Sequence, residues 1–264
     1  MSGNQETVKL TRPERWESQR IEAGGSAPGR RLTVKVLFGV LGLGGMGLLA
    51  YEALTWPNVK QLADQNPRTF LGLELDRASQ TGAGRTPRVL HQWESYAQIS
   101  PNLKRAVLVA EDINFFSHHG FATAEIEEAV EEAVEELHRP RGASTLTQQV
   151  ARLMWLSPEY SFLRKFKEAA LTVQLERSLS KKRILELYLN LAEFGPHLFG
   201  AEAASRHYFQ KSAAALSETE AAELAAGLSR VNLWNPASSD PAYRRRVRMI
   251  LRRMGKAQFL RELI

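Results

Sequence analysis

The chain is predicted to be a mainly α-helical protein with one apolar segment near its N-terminus, and three observations point there. From Pro101 onward, hydrophobic side chains recur at helical spacing, while alternation is confined to Val89–Ile99. Residues that cap helices stand where the periodic runs begin, as in Ser100-Pro101 and in S-E-T-E at Ser217, close to a capping box. Between Val36 and Tyr51 the sequence VLFGVLGLGGMGLLAY carries no charge.

A length of 264 residues allows one large domain or two small ones, with extra segments at the ends. Hydrophobic residues make up 44% and charged residues 24%, enough for most of the chain to bury a core. Cysteine is absent, which excludes disulfides and thiolate metal sites but does not fix the compartment. Lys and Arg number 35 against 29 Asp and Glu, a formal charge of +6. Such an excess suits an anionic partner, whether nucleic acid, a lipid surface or a phosphorylated substrate, without choosing among them.

Residues 1–31 are polar and basic, with Gly24, Gly25, Ser26, Pro28 and Gly29 clustered, and read as a cytoplasmic tail. Residues 32–56 read as a single transmembrane anchor. The uncharged run is slightly shorter than the roughly 20 residues that cross a bilayer. Lys35 can snorkel to one interface, and Tyr51 and Trp56 suit the other. Arg30, Arg31 and Lys35 precede the run, which places the N-terminus in the cytoplasm and residues 57–264 outside. A cleaved signal peptide is the rival reading, but no clear A-x-A-like site follows. A buried soluble helix is disfavoured by Gly39, Gly42, Gly44, Gly45 and Gly47.

Beyond the anchor, Pro57 to about Leu75 reads as a short amphipathic helix, Thr81–Pro87 as a loop and Val89–Ile99 as a short extended segment. Helices follow from Pro101, with Leu103, Val107 and Ala110 on one face, and over Ala124–Leu137, where the many glutamates form a solvated face. Further helices are expected at Ser161–Leu179, Lys182–Leu191, Ser217–Leu228 and Arg244–Leu263.

Four segments carry residues suited to chemistry. Glu111 and Asp112 end the apolar run AVLVAED, and Glu111, Phe115 and His118 would share a face if the helix continued. A carboxylate beside aromatic rings loses hydration, which raises its pKa toward the range useful for a base; a plain helix terminus is the simpler account. Gly142–Gln149 follows Arg139 and Arg141 and offers hydroxyls and amides to sugar or phosphate, while Ser144 or Thr145 is equally suited to cap a helix. Arg164, Lys165 and Glu168 lie at i, i+3 and i+4 spacings. They suit a surface ion-pair ladder, or a cationic grip on pyrophosphate with a carboxylate embedded in it. Lys181–Asn190 is mostly packing, with Glu186, Tyr188 and Asn190 as polar groups in an apolar surround.

In order and spacing, these segments resemble the glycosyltransferase domain of peptidoglycan synthases. E-D-x-x-F-x-x-H-x-G stands at Glu111–Gly120 and G-x-S-T-x-x-Q-Q at Gly142–Gln149. R-K-x-x-E follows at Arg164–Glu168 and K-x-x-I-L-E-x-Y-L-N at Lys181–Asn190. The likeness covers roughly Asn58–Leu251 and is nearest to the stand-alone, monofunctional biosynthetic transglycosylases. Ser178 to Lys181 also fits S-x-x-K, but no S-D-N or K-T-G accompanies it. Two departures stand out: Arg152 and Leu153 replace the Lys and Asn usual in the family, and Arg230 is the only cation in Leu228–Pro236.

The resemblance implies a lysozyme-like helical glycosyltransferase domain behind the anchor, which joins lipid II to a growing lipid-linked glycan strand at the inner membrane. Glu111 is the implied base, with Glu168 as second catalytic carboxylate. Asp112, Phe115, His118, Ser144, Thr145, Gln148, Gln149, Arg152, Arg164, Lys165, Lys181 and Arg230 are the implied binding residues. It leaves room for a divalent cation, Mg or Mn, with Glu168 as its ligand, and for no organic cofactor. Cell-wall synthesis or division proteins are the partners such an enzyme would meet. A lytic enzyme of lysozyme-like fold is the main rival, but it needs a protonated carboxyl and has no use for the R-K-x-x-E cations. A scaffold that only binds lipid II has no need for both Glu111 and Glu168. Nucleic acid is excluded by an outward-facing domain.

Overall fold

Ser100, Thr145, Ser161, Ser180, Ser217 and Asp240 each accept a backbone N–H of the helix they precede, and these caps mark the main boundaries of the fold. The computed structural model describes residues 42–47, 50–52, 54–84, 86, 88–121, 144–159 and 161–264. The tail expected at 1–31, much of the anchor expected at 32–56 and the helix expected at Ala124–Leu137 lie outside them. The chain divides into units 1–56 and 57–264. In the first, the described residues 42–47 are helical, and Leu43, Met46, Tyr51 and Leu54 are exposed. Among the described residues, no helix is long and apolar enough to cross a membrane.

The second unit is mainly helical. A 3-10 turn at Val59–Ala63 precedes α1 (Leu71–Gly82), so the single helix expected over Pro57–Leu75 is broken in two. Pro67 supplies the reason: it lacks an N–H, and its ring disfavours helical geometry at Asn66. Within Val89–Ile99 only β1 (Leu90–His91) is a strand; a 3-10 turn occupies Tyr96–Gln98. The helices α2 (Pro101–Glu111), α3 (Leu146–Trp155), α4 (Phe162–Ser178) and α5 (Lys181–Leu191) follow. A hairpin of β2 (Glu193–Gly195) and β3 (Leu198–Phe199) was not visible in the periodicity. It forms a sheet in the order β1-β3-β2, with β1 parallel and β2 antiparallel to β3. Then come α6 (Ala201–Phe209), α7 (Glu218–Gly227), α8 (Pro241–Lys256) and α9 (Leu260–Leu263). The basic helix expected at Arg244–Leu263 thus starts earlier, at the Asp240-Pro241 cap, and is interrupted. Its last carbonyls turn to side chains: Arg105 Nη2 donates to Met254 O at 2.7 Å and Gln258 Nε2 to Gly255 O at 2.8 Å.

Two helical packings position the site. In one, α2 and α8 lie on α7, whose Ala221, Ala222, Ala225 and Ala226 are fully buried and admit close approach. In the other, α3 packs on α4 and α5, with Leu146, Val150, Leu171, Leu175, Ile184, Leu185 and Leu187 in the core. The segment between α2 and Gly120 joins them. Asp112 Oδ2 accepts the Leu146 N–H at 2.9 Å, and Thr145 Oγ1 donates to Gly120 O at 2.8 Å.

Gly120 is the position where this clasp depends on glycine. It adopts φ 91°, and a Cβ there would lie 2.7 Å from Thr172 Cγ2 and 3.0 Å from Glu176 Cγ on α4. Gly120→Ala is therefore expected to lower stability by about 1–3 kcal/mol in chemical denaturation. Unchanged stability would show that the turn relaxes without loss.

Candidate active site

Helix α2 ends at Glu111 because Asp112 leaves helical geometry, with φ −165° and ψ 78°. Phe115 and His118 consequently do not share a helix face with Glu111, contrary to the spacing. Phe115 is fully buried, and Asp112 is nearly so. The His118 Nε2–H lies 3.0 Å from Asp112 Oδ1, and its Nδ1 accepts the Gly120 N–H at 3.1 Å, which fixes the tautomer. Asp112, Phe115 and His118 therefore build the turn after Glu111, and of the three His118 keeps part of its surface exposed.

Thr145 and Gln148 form a reciprocal capping box at the start of α3, and both are buried. Of the two capping candidates, Thr145 is the cap. Lys181 is also committed: its Nζ lies 2.9 Å from Glu176 Oε1 and 4.4 Å from the Phe115 ring centre. Thr147 joins the same knot, its hydroxyl 2.5 Å from Glu176 Oε1.

The remaining residues, Arg230 excepted, converge. Glu111, on α2, meets Arg246 of α8, whose Nη2 lies 3.3 Å from Oε1, and Gln149 of α3, whose Nε2 lies 3.3 Å from Oε2. Burial raises the Glu111 carboxyl above its ordinary value of 4.5, against the opposing pull of Arg246 and Gln149. Gln149 of α3 and Arg246 of α8 meet its two oxygens, and the Tyr188 hydroxyl of α5 lies behind Gln149. Tyr188 of α5 donates to Gln149 Oε1 at 3.3 Å, and burial drives its own hydroxyl well above its usual range.

Beside this group lies Glu168, a carboxylate with no exposed surface. Lys165 Nζ lies 2.5 Å from Oε1, and Arg164 Nη1 and Arg152 Nε lie 3.1 and 3.6 Å from Oε2. Arg152 also donates to the Ser144 hydroxyl. Arg152 and Lys165 keep part of their surface exposed, 36% and 49% of the side chain, so their charge remains available. Arg230 stands apart, exposed and stacked over Trp234 at 5.1 Å.

A cleft of about 460 Å³ opens along this cluster, lined by Gln149, Arg152, Arg164, Tyr188 and Glu193 and by apolar Leu75, Leu153, Leu156, Leu228 and Val231. Leu153, a departure from the family pattern, contributes to the apolar wall. Charge and hydrogen-bonding groups beside an apolar wall suit a substrate with an anionic head and a lipid tail. A metal on Glu168 does not fit, because both of its oxygens already face cations. Among the described residues no group of three or more His, Asp or Glu gathers as a metal site. Arg246 and Glu193 escaped sequence reasoning; neither falls in a motif, and only tertiary packing brings them here.

A model of the transglycosylase family matches residues 80–255, well over half the chain. A biosynthetic peptidoglycan transglycosylase of Thiobacillus denitrificans is 42% identical over 208 residues, 79% of this chain and 90% of the relative. One from Chromobacterium violaceum is 38% identical over 223 residues, 84% of this chain and 97% of the relative. A third, from Alcanivorax borkumensis, is 45% identical over 177 residues, 67% of this chain and 69% of the relative. The matched span holds both carboxylates, their cations and the helices that carry them: the chain belongs to the transglycosylase family.

Proposed function

We propose that the chain polymerises lipid II into β-1,4-linked glycan strands and releases undecaprenyl pyrophosphate, in peptidoglycan synthesis. The observation that carries this reading is a desolvated carboxylate, Glu111, bonded to Gln149 of the cleft wall, near a cation cluster on Glu168 that supplies Arg152 and Arg164 to the same wall. Glu111 takes the proton of the acceptor GlcNAc 4-hydroxyl, whose oxygen attacks the donor anomeric carbon from the face opposite the pyrophosphate. The bond from that carbon to the pyrophosphate oxygen breaks, and the link formed has inverted configuration. Arg152, Arg164 and Lys165 stabilise the leaving anion, which needs no carboxylic acid to protonate it. Glu168 holds these cations in place rather than ligating a metal. Arg230, in the segment between the cleft-lining Leu228 and Val231, meets the substrate outside this cluster.

Within the same reading, the helical domain is lysozyme-like and follows a single transmembrane helix at 32–56, with the domain in the periplasm. Exposed Leu43, Met46, Tyr51 and Leu54 support the anchor. On α4, Leu163 and Phe166 are exposed beside Arg164, Lys165 and Lys167, a combination suited to the bilayer interface where both lipid substrates lie.

Activity, pH dependence and topology each test the proposal. Detergent-solubilised protein incubated with labelled lipid II should yield polymer, and Glu111→Gln should reduce the rate by about 10² to 10⁴-fold while folding normally. Near-parental turnover in that variant would remove Glu111 from its role. The base must be ionised, so activity should fall as pH drops through the raised pKa of Glu111, above 4.5. Arg246 lowers that pKa, so Arg246→Gln should move the acid limb to higher pH; an unmoved limb would deny the coupling. A reporter fused after Ile264 should be active only outside the cytoplasm, and activity inside would overturn the topology.

A further inference from the structure

The base and the pyrophosphate grip leave one acidic side chain of the cleft without a task. Glu193, the first residue of β2, lines the cleft together with Gln149, Arg152, Arg164 and Tyr188. It forms no ion pair with either arginine among the described residues. Its carboxylate instead takes the backbone N–H of His197.

That N–H is held by an arrangement of its own. His197 lies at the tip of the β2–β3 hairpin with φ 63°, a left-handed conformation uncommon for a residue other than glycine. Its Nδ1 lies 2.6 Å from Asp76 Oδ1 on α1, and Asp76 is fixed in turn by Gln80 Nε2 at 3.0 Å. Gln80 Oε1 accepts the Arg88 N–H at 2.9 Å, which ties the segment before β1 to the same knot. Strained backbone that tertiary contacts hold in place tends to mark functional positions. Here it aims an N–H at a carboxylate on a substrate-sized cleft.

The chemistry of the surroundings narrows what Glu193 can recognise. Arg152 and Arg164 face Glu168, so neither is a partner for Glu193. A second anion would be repelled by it. Its free lone pairs suit O–H donors, to which a carboxylate makes charge-assisted hydrogen bonds stronger than those between neutral groups. We propose that Glu193 is a sugar-binding residue: it accepts hydrogen bonds from the non-reacting hydroxyls of a substrate hexosamine, with the His197–Asp76 contact as its positioning clamp. This rests on the polymerase reading of the cleft. The raised carboxyl of Glu193, pushed up by burial and by Asp76, agrees with a group awaiting a donor.

The test pairs Glu193→Ala and Glu193→Gln, in the full chain, with lipid II analogues deoxygenated at single non-reacting hydroxyls. Glu193→Ala should raise KM about tenfold with little change in kcat, and Glu193→Gln, which keeps an acceptor oxygen, should raise it less. One deoxy analogue should cost the parent about tenfold and Glu193→Ala far less, a non-additivity that a merely structural role would not produce. Additive losses for every analogue, or a change in kcat alone, would overturn the assignment. Binding of the soluble GlcNAc–MurNAc disaccharide, followed by NMR, needs no turnover and should weaken in both variants. Equal Kd in parent and variants would refute the site. Disaccharide binding that depends on Glu193, without polymer from the parent, would support the site and count against the proposed reaction alone.

Discussion

A carboxylate stripped of solvent cannot stay ionised alone, and Glu168 is such a group. Its exposed surface is nil, and Arg152, Arg164 and Lys165 surround its two oxygens. Coulomb attraction at low local dielectric keeps these cations within reach of one another despite their mutual repulsion. The consequence runs both ways. Removing Glu168 would leave clustered positive charge without a counterion, and removing the cations would leave a buried charge, an error typically worth 3–5 kcal/mol. Because α3 supplies Arg152 and α4 supplies Arg164, Lys165 and Glu168, the same contact sets the approach of two helices. The cations are thus oriented before any anion arrives, which spares the reorganisation that flexible lysines and arginines would otherwise undergo.

Glu111 is governed by a different balance. Burial favours its protonated form, while Arg246 and Gln149 favour its charge. The outcome is a carboxylate more basic than an exposed glutamate, as the proposed base requires. The two carboxylates differ both in depth, Glu168 fully buried and Glu111 partly exposed, and in what surrounds them. Glu168 has cations at every oxygen, which suits charge placement; Glu111 has one guanidinium at 3.3 Å and an amide, which suits the base proposed for it. Environment assigns the roles, as it does wherever two acids share a site.

Much of the helical fold could be read from the sequence, because caps and periodicity are local. Ser100-Pro101 and the Ser217 box stand where helices α2 and α7 begin. The failures were long-range. The spacing of Glu111, Phe115 and His118 suggested one face, but Asp112 is drawn out of the helix by the Leu146 N–H, 34 positions away. The β2–β3 hairpin is too short for alternation to show, and β3 pairs with β1 from more than 100 positions earlier. Arg246 meets Glu111 across 135 positions, and no local signal separates it from the other arginines of α8.

The motif residues divide along the same line. Asp112, His118, Gly120, Thr145 and Gln148 fall in strings that suggest chemistry, yet their hydrogen bonds go to one another or to neighbouring backbone. Their spacing records a clasp between the end of α2 and the start of α3. That clasp decides where Glu111 ends up, since a shift of one residue at Asp112 would turn the last side chain of α2 away from Gln149 and Arg246. Glu111, Ser144, Gln149, Arg152, Arg164, Lys165 and Glu168 are then the members whose polar atoms converge on the cleft and the two carboxylates beside it. A motif in such a domain is therefore two overlapping patterns, one for geometry and one for reaction, and only the tertiary contacts separate them.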